Sequence, residues 1–385
     1  MYPALSVLQA LQHRVKGSGE AGGDEQPGVE QVARFGFSAP EDALTVLWVG
    51  AAGGMEADLV KRAGIRFETI PAGQVHGINL RALPRNLWNL GRGLLAARRV
   101  LRKFRPDVLL FTGGYLAVPM AFASRLLRKG RRLLYVPDIE PGWALKTLAR
   151  FADHIAITVE ESRAFFPQAP NVTVTGYPLR HDPQAGSKAE ARAVFAFQED
   201  LPLLLVMGGS KGARSINQAL QAALPELLRH TQVLHLSGSQ EWALVERSRQ
   251  SLPVELQRRY RAYPYLHNEM GAALRAADLV LSRAGASTLG EYPAYGLPAI
   301  LVPYPYAWRY QRVNAQYLQE HGAAVLLEDA DLMTKMLPLV RELLQDRERA
   351  DRMRQAMRSL AQPQAAAKIA ALIDNLAAAA SEARH

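Results

Sequence analysis

The chain has 385 residues, no cysteine, and 46 Lys plus Arg against 36 Asp plus Glu, a formal charge of +10. That length exceeds what one hydrophobic core usually serves and points to two domains, and the absence of thiols excludes disulfide scaffolds, thiolate zinc sites and cysteine nucleophiles. No apolar run approaches about 18 residues, and the opening MYPALSVLQALQHRVK lacks a basic region ahead of its apolar stretch, so neither a spanning helix nor a signal peptide is expected. Residues 17–43 are rich in Gly, Glu and Pro without apolar periodicity and are expected to form a flexible surface loop. Beyond them, short apolar runs ending in Gly or Pro alternate with helical patterns, as in parallel βαβ units. The expected strands are 45–50, 107–114, 132–137, 154–159 and 172–176, then 201–209, 231–238, 260–265, 278–285 and 298–305. Two sets of five imply an α/β protein of two Rossmann-like, doubly wound domains. The expected division is 1–180, 181–350, and a helical, Ala-rich tail over 351–385 broken by Pro363.

Charge is concentrated rather than spread. From Arg81 to Arg132 there are 13 Lys plus Arg and a single acid, Asp107. Within that segment, residues 81–107 carry an apolar stripe (Leu87, Leu90, Leu94, Leu101, Phe104) suited to core packing. Arg85, Trp88, Arg92, Leu95 and Arg99 lie off the stripe, a composition that fits either the interface of an anionic membrane surface or an ordinary solvated face.

The strongest local motif is LLLVMGGSKGARSIN, 203–217: a buried strand, a turn through Gly208, Gly209, Ser210, Lys211 and Gly212, and then a helix. Glycines there let backbone N–H groups approach a phosphate while the helix N-terminus adds partial positive charge, but the same residues also make a tight structural turn. The spacing is neither a Walker loop nor a dinucleotide fingerprint. A similar turn, Gly113, Gly114 and Tyr115, follows the strand at 107. A third strand end, SRAGASTLGE at 282–291, places Ala286, Ser287 and Thr288 before Glu291, which reads as a ligand site or as a capping box. Two Gly turns at strand C-termini, one in each half, favour a ligand between the domains.

Together the segments YPALSV (2–7), PDVLLFTGGYLAVP (106–119), VTGYPLR (174–180), GGSKGARSIN (208–217), ADLVLSRAGASTLGE (277–291), GLPAILVP (296–303) and QRVNAQYL (311–318) resemble one family. It comprises the bacterial UDP-N-acetylglucosamine:lipid I N-acetylglucosaminyltransferases, peripheral membrane enzymes that make lipid II. The resemblance implies a glycosyltransferase-B fold with a C-terminal helix returning to the first domain. It also implies inverting, metal-independent transfer of N-acetylglucosamine from UDP-N-acetylglucosamine to a polyprenyl-pyrophosphate-linked acceptor at the cytoplasmic face of the membrane. No cofactor is implied, no acidic metal motif lies near the loops, and no nucleic-acid motif is present. On this resemblance Arg180, Ser210 and the backbone at Gly209 and Lys211 hold the pyrophosphate, with Ala286, Ser287 and Thr288 on its other side. Glu291 accepts from the ribose hydroxyls, Gln311 binds the sugar with Asn314 in support, and uracil meets backbone near Leu266 and His267. The stretch 264–270 is one residue longer than the family's usual one. Gly113, Gly114 and Tyr115 lie on the acceptor side.

The departures matter equally. The family opens with a strand and a Gly-Gly-Thr-Gly-Gly-His loop, whereas Met1 here stands just after that His. The first strand, its loop and the family's candidate base are therefore expected upstream, in frame, of an initiation codon placed at an internal Met; the competing reading is a truncated or inactive protein. At 135–138 the family's His-Glu-Gln-Asn is replaced by Tyr135, Val136, Pro137 and Asp138, leaving Asp138 or Glu140 as fallback bases, and Tyr310 replaces a usual Gln. Alternatives are a transferase acting on another lipid such as diacylglycerol, a UDP-N-acetylglucosamine 2-epimerase, or an inactive nucleotide-sugar-binding partner of a membrane complex.

Overall fold

The structure, a computed structural model, describes residues 2–17, 44–51, 56–71, 83–114, 116–209, 211–306 and 310–382. Contacts divide the chain into two compact units, Met1–Val136 with Pro141–Thr175 and Gln364–His385, and Pro137–Glu140 with Gly176–Pro363. All but the start of the expected loop at 17–43 lies outside the described residues.

The first unit runs α1 (Tyr2–Gly17), β1 (Leu47–Gly50), α2 (Glu56–Arg62), β2 (Arg66–Thr69), α3 (Leu83–Phe104), β3 (Val108–Phe111), α4 (Ala117–Leu127), β4 (Arg131–Val136), α5 (Trp143–Ala149), β5 (His154–Ile157) and β6 (Val172–Val174). Its strands are parallel but form two sheets, β1-β2 and β3-β4-β5-β6. Among the described residues no strand pairs with the inner edges of β1 and β3. A cavity of about 650 Å³ lies there, lined by Val7, Leu8, Leu47, Val49, Leu109 and Phe111 among others. Of the expected α3 core stripe, Leu101 is fully buried and Leu94 packs partly buried on the cluster that also takes Ala97, Phe111, Met120, Leu134 and Ile157; Phe104 is half-buried, and the side chains of Leu87 and Leu90 lie outside the described residues.

The second unit runs α6 (Lys188–Val194), β7 (Leu203–Met207), α7 (Arg214–Leu227), β8 (Gln232–Leu236), α8 (Trp242–Gln250), α9 (Val254–Gln257), β9 (Tyr260–Tyr263), α10 (Met270–Ala276), β10 (Leu279–Ser282), α11 (Glu291–Tyr295), β11 (Ala299–Leu301), α12 (Tyr310–Glu320), β12 (Ala324–Leu326), α13 (Leu332–Gln345) and α14 (Arg347–Ser359). The sheet is parallel, in the order β12-β11-β10-β7-β8-β9. This is the doubly wound pattern, with the first strand of the unit at the centre and a reversal of winding beside it. Continuous burial of Leu203, Leu204, Leu205 and Val206 fits that central position, because a strand covered on both faces loses apolar/polar alternation. Chain entry is fixed by a capping box on α6, in which the Ser187 hydroxyl accepts from the Glu190 backbone N–H and the Glu190 carboxylate accepts from the Ser187 N–H.

Pro363 separates α14 from the final helix, α15 (Ala365–Glu382). Met353 on α14 joins the second unit's core, whereas Ile369 and Ala370 on α15 pack with Val7 and Leu11 of α1 and with Leu133 and Tyr135 of β4. The helical tail thus serves both units, its second half returning to the first. Two strands went unexpected from the sequence. The β2 segment RFET is four residues of mixed charge, half of them exposed, and the β12 segment AVL is three residues long, so neither carries a usable period.

Candidate functional site

At the C-terminal end of β7 the glycines divide into two kinds. A Cβ on Gly208 would lie 2.2 Å from the Ala213 nitrogen, and one on Gly212 would lie 2.1 Å from the Ser237 carbonyl oxygen. Those two glycines permit close backbone approach, Gly212 also at a φ of +83° that L side chains rarely adopt. Gly209 also has positive φ (+87°) but is exposed, with nothing within 4 Å of a Cβ. The turn is therefore both things the sequence allowed: a tight structural knot at Gly208 and Gly212, and an open backbone at Gly209. Lys211 is exposed beside it, and Ser210 lies outside the described residues. The turn feeds α7, whose N-terminal residue Ala213 offers no side-chain cap. That leaves the first N–H groups of a fourteen-residue helix available to an anion.

The third strand end follows β10, which pairs directly with β7 in the sheet. Residues Ala286–Leu289 form one turn of 3-10 helix, and Glu291 opens α11. The capping-box reading is not realised: the cap positions are Gly285 and Gly290, without side-chain bonds, and the Thr288 hydroxyl donates to the Gly285 carbonyl oxygen (2.7 Å). Instead the Ser287 hydroxyl and the Arg180 guanidinium both favour the charged form of the Glu291 carboxylate. Burial outweighs both and pushes the Glu291 pKa up to about 7. A desolvated carboxylate with so little compensation is poised for donors that a ligand would bring.

Asn314 on α12 is fully buried and fully used. Its amide N donates to Asp138 Oδ1 (2.9 Å) and to the Ala284 carbonyl (3.1 Å), and its Oδ1 accepts from the Ile139 N–H (3.2 Å). This side chain explains why Pro137–Glu140 packs with the second unit. Burial raises the Asp138 pKa, and the Asn314 bond only partly opposes it. On the same helix the Gln311 Oε1 accepts from the Tyr304 N–H (2.9 Å). Leu266 is buried and precedes exposed His267, whose ring packs edge-on to Tyr265 at 4.8 Å. Among the described residues no three His, Cys, Asp or Glu side chains converge as a metal ion would need.

In the first unit Gly113 and Gly114 both take positive φ, Gly113 against Leu145 and Gly114 in open space, ahead of α4; Tyr115 lies outside the described residues. Arg92, Leu95 and Arg99 are exposed on α3, Leu95 at 61%, while the side chains of Arg85 and Trp88 lie outside the described residues. Phe122 and Leu126 on α4 are exposed too.

Residues 22–157 match the glycosyltransferase family 28 N-terminal domain and residues 203–373 match its C-terminal domain. The chain belongs to glycosyltransferase family 28. Among its family 28 relatives, a UDP-N-acetylglucosamine–N-acetylmuramyl-(pentapeptide) pyrophosphoryl-undecaprenol N-acetylglucosamine transferase of Roseiflexus sp. strain RS-1 is 39% identical, the match covering 98% of this chain and 92% of that protein. Its namesake in Chlorobaculum parvum is 37% identical, covering 92% and 96%. Of solved structures, Acinetobacter baumannii MurG aligns over 97% of this chain and 95% of its own, with TM-score 0.68 and 24% identity. A UDP-GlcNAc 2-epimerase of Neisseria meningitidis bound to UDP-GlcNAc aligns over 86% and 90%, with TM-score 0.59 and 12% identity. At these identities the structural likenesses speak to the fold alone.

Three residues around these strand ends were not singled out from the sequence. Tyr177 is buried under Gly290, where a Cβ would come within 2.5 Å of its own Cβ; burial, with Glu291 and Asp138 nearby, raises its pKa. Arg283 donates to Asp329 and to the Ser215 hydroxyl (2.8 Å) on the first turn of α7, and stacks its guanidinium 5.3 Å from the Tyr304 ring centroid. His181 follows Arg180 directly. Their partners lie far away in sequence, so no local spacing could have shown them; only the Arg180–His181 adjacency was in plain view.

Proposed function

We propose that this chain transfers N-acetylglucosamine from UDP-N-acetylglucosamine to undecaprenyl-pyrophosphoryl-muramyl-peptide, converting lipid I to lipid II in peptidoglycan synthesis. Near-full-length identity of 39% to a relative named for that reaction carries the assignment. Within the second unit, the open backbone at Gly209, the uncapped start of α7 and desolvated Glu291 beside Arg180 support a nucleotide-sugar site at the C-terminal ends of β7 and β10. Crevices at those ends are where parallel sheets bind ligands.

In this reading Gly209, Ser210, Lys211 and Arg180 take the diphosphate, with Ala286, Ser287 and Thr288 opposite, and Glu291 takes the ribose hydroxyls. Gln311 faces the sugar, with buried Asn314 in support, and the backbone at Leu266 and His267 takes uracil. As the glycosidic bond to UDP breaks, negative charge grows on the diphosphate. Preorganised N–H groups and Arg180 meet that charge without having to reorganise, which is where most of the rate acceleration at such a site arises. The acceptor hydroxyl attacks the opposite face of the sugar and gives up a proton. Asp138 and Glu140 are the carboxyls of this chain proposed to receive it, and the raised pKa of Asp138 suits that work.

Gly113, Gly114 and Tyr115 are assigned to the acceptor side. Exposed Leu95, Phe122 and Leu126, with Arg92, Arg99 and Arg125 around them, suit an anionic membrane surface on the cytoplasmic side, and no helix of the described residues is long and apolar enough to cross a membrane. Nucleic acid has no place in this reading. The test is product analysis with radiolabelled UDP-N-acetylglucosamine. Label moving to lipid I is expected; label moving only to diacylglycerol, or UDP binding without turnover, overturns the acceptor assignment or the activity.

A further inference from the structure

We propose that Asn217 is a positioning residue that holds the open backbone at Gly209 in place for a diphosphate, by gripping the Ser237 carbonyl on which the glycine turn rests, and that His235 keeps the Asn217 amide turned toward that carbonyl. The proposal rests on the donor-site reading above and adds to it the side chains that fix the shape of its diphosphate end.

A chain of polar groups runs under the turn. On the first turn of α7 the Asn217 amide N donates to the Ser237 carbonyl oxygen (2.9 Å), and its Oδ1 lies 3.0 Å from His235 Nε2. Through Nδ1 the His235 ring meets Tyr260 Oη (2.8 Å), Gln221 Nε2 donates to that same Oη (3.1 Å), and the Ser248 hydroxyl donates to Gln221 Oε1. Only one direction satisfies every member. A backbone carbonyl only accepts, so the Asn217 amide N faces Ser237 and Oδ1 is left to accept from His235. Nε2 therefore carries the proton of the neutral ring, Nδ1 is bare, and the Tyr260 hydroxyl donates to it. Complete burial pushes the His235 pKa down to about 3, so the ring keeps this neutral form.

Where the chain ends gives it a purpose beyond packing. A buried polar network whose members are all satisfied rigidifies what it touches, and this one touches the glycine turn. Ser237 is anchored from behind by its own N–H, which donates to the Tyr263 carbonyl (3.0 Å). A Cβ on Gly212 would lie 2.1 Å from the Ser237 carbonyl oxygen, and one on Gly238 would lie 2.2 Å from the Gly212 nitrogen, so the two turns interlock at backbone contact. The Gly212 N–H donates in turn to the Gly209 carbonyl (2.9 Å). Position thus passes from Asn217 to Ser237, from Ser237 to Gly212 and from Gly212 to Gly209, where a Cβ would meet open space. The Asn217 N–H also closes the first turn of α7 on the Ala213 carbonyl (2.9 Å). One residue therefore sets both the open backbone and the uncapped helix start in the same frame.

The test compares UDP with uridine, which lacks the diphosphate, by calorimetry on the full chain with thermal melts in parallel. Asn217→Leu fills the space without the bonds and is expected to weaken UDP binding by about tenfold, the scale of one positioned hydrogen bond, with uridine affinity held within about twofold. His235→Gln keeps an N–H near the position of Nε2 and is expected to stay within about threefold of the parent for UDP, whereas His235→Asn places one near Nδ1 instead and is expected to fall with Asn217→Leu. Leu220→Ala, at a fully buried position of α7 outside the polar chain, controls for stability: its melting temperature should fall while its UDP affinity does not. Parent-like UDP affinity in Asn217→Leu, equal losses for UDP and uridine, or equal affinities in the two His235 variants overturn the proposal. So does a loss of UDP affinity in Leu220→Ala that matches the loss in Asn217→Leu. If Asn217→Leu does not fold, the two His235 variants decide the matter. A parent chain that binds UDP no more tightly than uridine overturns the donor-site reading itself, an outcome distinct from failure at Asn217 alone.

Discussion

Glu291 sets binding against stability. Its carboxyl is held near pKa 7 in the folded unit, against 4.5 when solvated, so the folded state binds more protons between those values. The raised pKa contributes stability that is fully present below about pH 4.5 and is lost as pH rises through 7. Above pH 7 the folded unit carries an ionised, desolvated group at a cost on the order of 2 kcal/mol, discounted because the side chain keeps some solvent contact. Glu291→Gln is therefore expected to raise the melting temperature of the second unit by about 5 °C at pH 8 and by almost nothing at pH 4, while weakening UDP binding. Melts at the two pH values with UDP titration check both signs, and a destabilised variant at pH 8 contradicts this origin of the shift. Asn314 is the opposite case. Asn314→Ala removes three bonds at once and strands the Ile139 N–H and the Ala284 carbonyl, a loss of about 2–4 kcal/mol. Melting temperature should fall and KM for the nucleotide sugar should rise together, and neither should recover in Asn314→Leu, which fills the space without the bonds.

Along α3 the same 3.6-residue period serves two purposes. Ala97 and Leu101 are fully buried, whereas Leu95 at 61% exposure sits beside exposed Arg92 and Arg99, and on neighbouring α4 exposed Phe122 and Leu126 flank Arg125. Each basic residue near an anionic leaflet contributes about 1 kcal/mol. Arg92→Ala with Arg99→Ala should cut partitioning onto anionic vesicles by about thirtyfold, leave neutral vesicles unaffected, and leave UDP affinity unchanged. Sedimentation with vesicles of both compositions measures this. Leu94 and Leu101 of the α3 core stripe were legible in the sequence because burial writes a period. What the helix's other face meets was not, since a solvated face and a membrane face share a composition. The other ten strands were legible by the same logic, though their Gly and Pro ends prove to be turns. RFET, of mixed charge and half exposed, and AVL, three residues long, were not. At the site, sequence picked out Gly208, Gly209 and Gly212 together; only the approach of Ser237 from β8 separates the packing glycine 212 from the open glycine 209.

The two units are built to different degrees of closure. In the second, six strands pair without interruption about a central β7 whose residues Leu203 to Val206 are all fully buried. In the first, β1-β2 and β3-β4-β5-β6 each end on an edge facing an apolar cavity of about 650 Å³. Among the described residues those edges pair with no further strand, and the N–H and C=O groups there and the apolar walls of the cavity both forgo stabilisation that the other unit has. Local opening follows low contact density, so β1 and β3 should exchange their amide hydrogens faster than β7, β8 and β10. Heating should then give two transitions, the lower from the first unit. UDP binds the second unit in the reading proposed here, and ligand at 100 times its Kd adds about 2.7 kcal/mol to the state that binds it. Saturating UDP should therefore move only the upper transition, by about 5–10 °C for a unit of this size, and leave the lower one in place. Calorimetry with and without UDP, with hydrogen exchange assigning each transition to its strands, decides the matter. A single transition with equal protection in β3 and β7 would mean that the gap beside β3 costs the first unit nothing, and a UDP-induced shift of the lower transition would place the nucleotide in the first unit instead.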